Sequence, residues 1–144
     1  MTPQQKLLGT RIHYGIQAVS VLGFIGAFIV IEVNKGDDAR LTSAHGIMGL
    51  DTYILILLQA IGGLVQYFFP RLVLGNVARG KAMYKYHRMV GYILMTLELA
   101  TVAAATQTTF NLSVLAIPLW AVLLAAVLII AGLGARAKKQ KLGL

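Results

Sequence analysis

Ile12-His-Tyr-Gly-Ile-Gln-Ala-Val-Ser-Val-Leu-Gly-Phe-Ile-Gly-Ala-Phe-Ile-Val-Ile31 carries no formal charge and lies between Arg11 and Glu32. Roughly 20 apolar residues are what a helix needs to cross a hydrocarbon core of ~30 Å, so this stretch is read as a membrane span. Beyond it, Asn34 to Arg40 is a polar turn. The chain re-enters as Leu41-Thr-Ser-Ala-His-Gly-Ile-Met-Gly-Leu50, meets Asp51, and runs uncharged from Thr52 to Pro70. Arg71 to Lys85 is basic and reads as a solvated loop, after which a third apolar stretch begins near Tyr86. No residue from Leu99 to Ala135 is charged, which is too long for one helix, and Thr106-Gln-Thr-Thr-Phe-Asn111 divides it. Lipid offers the backbone no hydrogen-bond partners, and spans of this length without strict alternation are helices. The expected fold is an all-α integral membrane protein: four transmembrane helices, at about 12–33, 44–69, 85–105 and 112–135, in an antiparallel bundle forming one membrane domain over 1–144.

The 144 residues are 58% apolar and 12% charged, too hydrophobic for an ordinary water-soluble domain. Thirteen basic and five acidic residues give a net charge of +8, a surplus that fits nucleic acid or a membrane surface; its placement favours the membrane. Lys6, Arg11, Arg71, Arg79, Lys81, Lys85, Arg88, Arg136, Lys138, Lys139 and Lys141 flank the first, second and fourth spans on one side. Only Lys35 and Arg40 lie in the first connection, beside Asp37 and Asp38. The positive-inside rule then puts both termini and the second connection on the cytoplasmic or matrix-equivalent side, with the organelle open between endomembrane and mitochondrial inner membrane. No nucleic-acid partner is expected. There is no cysteine, hence no disulfide, thiolate metal site or thioether-linked haem. The N-terminus has neither a secretory signal pattern nor an arginine-rich amphipathic one, and phosphate-loop, zinc-protease and serine-hydrolase motifs are missing.

The chemistry rests on three histidines. His13, early in the first span, and His87, early in the third, come out at one depth on the positively flanked side, as two axial ligands of a haem b must. His45 opens the second span. Glycine four residues after a histidine lies on the same helical face and leaves room for a flat macrocycle; His87 has Gly91 and His45 has Gly49, whereas His13 has Gln17, an amide able to bond a propionate, a substrate or another helix. Arg11, Lys81, Lys85 and Arg88 are candidate contacts for propionates or an anionic reductant, and equally serve as topology and headgroup charges. For His45 alone, an interhelical hydrogen bond is as good a reading as ligation. Asp51 and Glu98, costly in lipid, are unassigned.

Arg11-Ile-His-Tyr-Gly-Ile-Gln17, Thr42-Ser-Ala-His-Gly-Ile-Met-Gly-Leu50, Gln59-Ala-Ile-Gly-Gly63, Tyr67-Phe-Phe-Pro70 and Tyr84-Lys-Tyr-His-Arg-Met-Val-Gly-Tyr92 together resemble the cytochrome b561 family, in particular its transmembrane reductase branch. The resemblance implies a haem b with His13 and His87 as ligands, and His45 as a ligand of a second haem on the opposite face. It also implies electron transfer from ascorbate, or another small anionic reductant, to ferric iron or monodehydroascorbate. Family members typically have six helices, and the usual partner of His45 comes from a helix before the one holding His13, for which twelve preceding residues leave no room. The chain thus resembles the family's last four helices. Three outcomes remain open. Another chain or a non-histidine group completes the second site; or one haem is held; or the chain is an accessory subunit of a larger membrane complex, such as a respiratory one, with reduced or no haem, its partners being other membrane subunits besides the lipid bilayer.

Overall fold

The computed structural model describes residues 2–36 and 41–136. Asp37, Asp38 and Arg40 in the first connection, and Lys138, Lys139 and Lys141 near the C-terminus, lie outside the described residues. The chain divides into two compact units, residues 1–39 and 40–144. Every regular element among the described residues is helical, as expected of an all-α membrane protein.

The first unit is one helix, α1 (Pro3–Lys35). It starts nine residues before the apolar stretch because Thr2-Pro-Gln-Gln5 is a capping box: the Thr2 hydroxyl accepts from the Gln5 amide at 3.3 Å, and the Gln5 side chain accepts from the Thr2 amide at 2.8 Å. Pro3 sits where its missing N–H costs nothing. Its 33 residues extend about 50 Å at 1.5 Å each, more than the hydrocarbon needs, so the ends reach the headgroup regions. Gly36 ends it at φ +53°.

In the second unit, α2 (Ala44–Phe68) begins on Ser43, whose hydroxyl accepts from the Gly46 amide at 3.1 Å. A short α3 (Pro70–Leu74) follows, then α4 (Val77–Ala105), a π-helical turn (Asn111–Leu115) and α5 (Leu119–Arg136). The basic stretch 71–85 is thus not the solvated loop its charge suggested. Gly75, at φ +84°, breaks the chain, and the Asn76 side chain accepts from the Arg79 amide at 2.8 Å to start α4 eight residues earlier than expected. Arg79 also donates from Nη1 to the Leu74 carbonyl at 3.3 Å, satisfying the end of α3.

Burial is inverted relative to a water-soluble domain. Among the described residues, Ile56, Leu94 and Ala126 are the buried large or branched apolar residues and alanines, against five buried polar ones: Thr52, Gln66, Thr101, Thr106 and Asn111. Apolar side chains face outward, Trp120 at the start of α5 being 69% exposed. In lipid this is the favourable arrangement, because hydrocarbon welcomes the apolar side chains and polar ones must find partners within the protein. Among the described residues, three helices, α1, α2 and α4, are long and apolar enough to cross a membrane, and α5 is a shorter apolar helix.

The fourth helix begins at Leu119 rather than near 112 because Asn111 ties the chain into a knot before it. The Asn111 amide nitrogen donates to the carbonyls of Thr106 (2.8 Å) and Ile117 (3.0 Å), and its oxygen accepts from the Ile117 N–H (3.3 Å). The Ala116 amide, in the left-handed region at φ +52°, bonds back to the Asn111 carbonyl at 2.6 Å. Pro118 then leaves the helix to start at Leu119.

α2 and α4 run antiparallel and meet along a regular seam. On α2 it is formed by His45, Gly49, Thr52, Ile56, Gln59, Gly63 and Gln66, spaced alternately four and three residues apart. On α4 it runs through Gly80, His87, Gly91, Leu94 and Thr101. Small residues allow the close approach, most stringently at Gly80, where an added Cβ would come within 2.8 Å of the Pro70 Cβ and 2.9 Å of the Gln66 carbonyl oxygen.

Candidate functional site

Two of the three histidines lie on this seam, at opposite ends. Fourteen residues of α4 separate His87 from Thr101, which faces His45, and at 1.5 Å per residue that is about 21 Å along the axis. Counted along α2, from His45 to the Gln59 and Gly63 that meet His87, it is about 21–27 Å. That separation is comparable to the ~30 Å thickness of a hydrocarbon core.

At the first end, His45 Nδ1 lies 3.1 Å from the Thr101 carbonyl oxygen. A carbonyl oxygen only accepts, so Nδ1 carries the proton and the Nε2 lone pair is the one directed away from the bond. Metal-ligating imidazoles commonly have their second nitrogen bonded in this way to a fixed acceptor that sets the tautomer and ring orientation, and the same contact is the interhelical hydrogen bond that a membrane histidine makes without a metal. Beside it, the Thr52 and Thr101 hydroxyls meet at 3.1 Å. Each also reaches the carbonyl four residues back in its own helix, Met48 at 2.7 Å and Leu97 at 2.8 Å. With one proton apiece, two of these three contacts are made at a time. Gly49 faces the Thr101 methyl at ordinary contact distance, 4.0 Å from where its Cβ would be.

At the second end, α2 holds the α4 histidine differently. Gln59 Nε2 donates to the His87 backbone carbonyl at 2.6 Å. The amide passes over Gly91, where a Cβ would lie 3.3 Å from it, so the space beside that glycine is filled by Gln59. The imidazole itself lies on Gly63: a Cβ there would be 3.1 Å from Cε1, 3.7 Å from Nε2 and 3.9 Å from Nδ1. His87 is half-buried.

His13 and Gln17 stand one turn apart on exposed positions of α1, with Arg11 just before them. On α4, Lys81, Lys85 and Arg88 recur at i, i+4 and i+7 and so share a helical face, an order hidden while the stretch read as a loop. Lys81 and Lys85 are exposed and Arg88 half-buried, and the Lys85 ammonium sits 4.9 Å from the centre of the Tyr86 ring. Asp51 is exposed and Glu98 half-exposed; the antiparallel register puts them at similar depth toward the His45 end. Among the described residues there is no cluster of three or more histidines and carboxylates able to hold a bare metal ion, whereas haem iron asks the protein only for axial donors. The single imidazole at each end of the seam fits that requirement.

Sequence reasoning gave no role to Gln59, Gly63, Thr52 or Thr101, although Gln59 and Gly63 stand in one of the stretches that carry the resemblance. The alternating four-and-three spacing that starts at His45 marks the first three. The Thr101 carbonyl has no signature, since every residue has one.

A family model described as eukaryotic cytochrome b561 matches residues 1–113. No curated protein matches the chain, and no solved structure does.

Proposed function

This chain belongs to the eukaryotic cytochrome b561 family, and from that membership we propose a haem b membrane electron-transfer protein, with His87 of α4 as an axial ligand near the positively flanked face and His13 of α1 as a candidate axial ligand in its own right. His45 is proposed as a ligand of a second haem at the opposite face. The observation that carries the reading is the bond from His45 Nδ1 to the Thr101 carbonyl, which leaves the Nε2 lone pair as the donor. The separation of His45 and His87 along one helix pair supports two sites rather than one shared site.

Haem iron supplies the one-electron change, and the chain supplies its ligands, their depth and the charge around them. His87 is presented near the basic face of α4, where Lys81, Lys85 and Arg88 raise the local concentration of an anion and bond its oxygens. A small anionic reductant of the ascorbate class is the donor this charge suits, and ferric iron or monodehydroascorbate the acceptor class. Arg11 and Gln17 are the α1 candidates for propionate contacts. The three histidines of this sequence supply three axial positions, and the fourth of a two-haem arrangement is left unassigned. Both termini lie on the cytoplasmic or matrix-equivalent side in this reading.

The test is a visible reduced-minus-oxidised spectrum of the protein purified in mild detergent, with ascorbate as reductant. The expected result is a b-type spectrum developed by ascorbate, and a roughly tenfold higher half-reducing concentration when Lys81, Lys85 and Arg88 are together changed to alanine, equal to ~1.4 kcal/mol of anion binding. Bound haem that ascorbate does not reduce would sink the reductase assignment.

A second reading is favoured by Asp51, a carboxylate at an exposed position eight residues into α2. Such a group is expensive in lipid unless another helix meets it, which suits an accessory subunit of a larger membrane complex. Co-purification of partner subunits that Asp51→Leu detaches would support it, and a stable, reducible protein free of partners would count against it.

A further inference from the structure

The His87 end of the seam contains an arrangement that ligation alone does not require. Gln59 donates from its side-chain amide to the main-chain carbonyl of His87 at 2.6 Å. That carbonyl belongs to a residue in the middle of α4, where the intrahelical ladder already uses one of its two lone pairs. The side chain reaches it across Gly91, the residue whose amide is the ladder partner, and a side chain there would close the passage, since a Cβ would stand 3.3 Å from the Gln59 nitrogen. One turn further along α2, Gly63 presents bare backbone to the Cε1 edge of the ring. Bond and contact together fix two things, the placement of the His87 backbone on α2 and the approach of the ring's edge.

From this geometry we infer that Gln59 and Gly63 are positioning residues for His87, setting the plane of its imidazole through a clamp on its backbone and a seat for its ring edge. The inference rests on His87 being an axial ligand. An imidazole on iron retains rotation about the metal–nitrogen bond, and the orientation of its plane relative to the other ligand governs the ferric orbital energies. A residue that fixes the plane therefore tunes the redox potential without touching the haem. Gln59 and Gly63 lie four residues apart on one face of α2, as a two-point support requires.

The experiment compares the purified full-length protein with Gln59→Met and Gly63→Ala, reading the ferric low-spin electron paramagnetic resonance spectrum and the midpoint potential. Methionine keeps the length of glutamine without its donor, and alanine adds a single carbon at 3.1 Å from Cε1. Leu94→Ala is the structural control, because it loosens the same seam two turns from His87. Expected are shifted g-values and potential in Gln59→Met and Gly63→Ala, with haem retained, and unchanged values in Leu94→Ala despite a lower melting temperature. The inference is overturned if both positioning variants keep the wild-type signals, or if Leu94→Ala shifts them equally. His87→Ala separates the two ideas. If it retains the full haem signal, the ligand assignment has failed and this inference with it. If it loses haem while the positioning variants stay silent, the inference alone has failed.

Discussion

The two ends of the α2–α4 seam hold their histidines by opposite means. At the His45 end, α4 offers a carbonyl and bonds the ring nitrogen directly, so the support is chemical and sets tautomer and basicity. At the His87 end, α2 clamps the backbone and gives the ring a glycine to rest on, so the support is steric and sets position. In each case the neighbouring helix does the holding. The difference implies that the His87 end tolerates changes of size poorly, whereas the His45 end tolerates loss of side-chain polarity as long as α4 keeps its helical carbonyl in place.

The strongest way to break this contrast is Gly63→Leu. A branched side chain where even a Cβ lies 3.1 Å from the ring should displace His87, and overpacking of about 1–3 kcal/mol corresponds to roughly 5- to 150-fold weaker haem retention at that end. Haem titration of the apoprotein reads it, and equal loss at the His45 end would erase the distinction. Gly80→Ala comes next. Its methyl meets Pro70 and the Gln66 carbonyl inside van der Waals distance, so thermal melts in detergent should show a loss of about 1–3 kcal/mol, with the His87 end opening first in hydrogen exchange.

At the other end, Asn111→Ala removes three side-chain hydrogen bonds from the connection that follows Thr101. A cost of about 1–3 kcal/mol for polar groups left unpaired is expected, with faster exchange of the Thr106 to Ile117 amides and no change at His87. Thr52→Val should matter least. It deletes one hydroxyl contact with Thr101 and leaves the carbonyl untouched, for about 0.6 kcal/mol on the scale of interhelical bonds in membranes. A disrupted His45 site in that variant would show that the hydroxyls, not the carbonyl, orient the ring.

The sequence made the spans legible because uncharged length is itself the physical requirement of a bilayer, as Ile12–Ile31 illustrates. It misled between 71 and 85, where a density of cations suggested solvent. Caps at Asn76 and a break at Gly75 made the same residues helical, and helical order turned Lys81, Lys85 and Arg88 into one face. The start of α1 was written in Thr2-Pro-Gln-Gln5 but lay outside the apolar run that drew attention. Gly91 was expected to leave space for a macrocycle, whereas the space beside it receives Gln59. Helical spacing identifies the face of a residue and not its occupant, which only the register of two helices decides. The same limit hid the Thr101 carbonyl, a backbone group that gains its role from packing alone.

The most direct measurement is haem content and reduced-minus-oxidised spectra for the full-length protein beside His45→Ala and His87→Ala. Each variant should keep the haem served by the other histidine, so that the two lost signals differ and together make up the wild-type spectrum. A spectrum that neither substitution alters, or complete loss of haem through one of them alone, would contradict the assignment of the two histidines to separate sites at opposite ends of the seam.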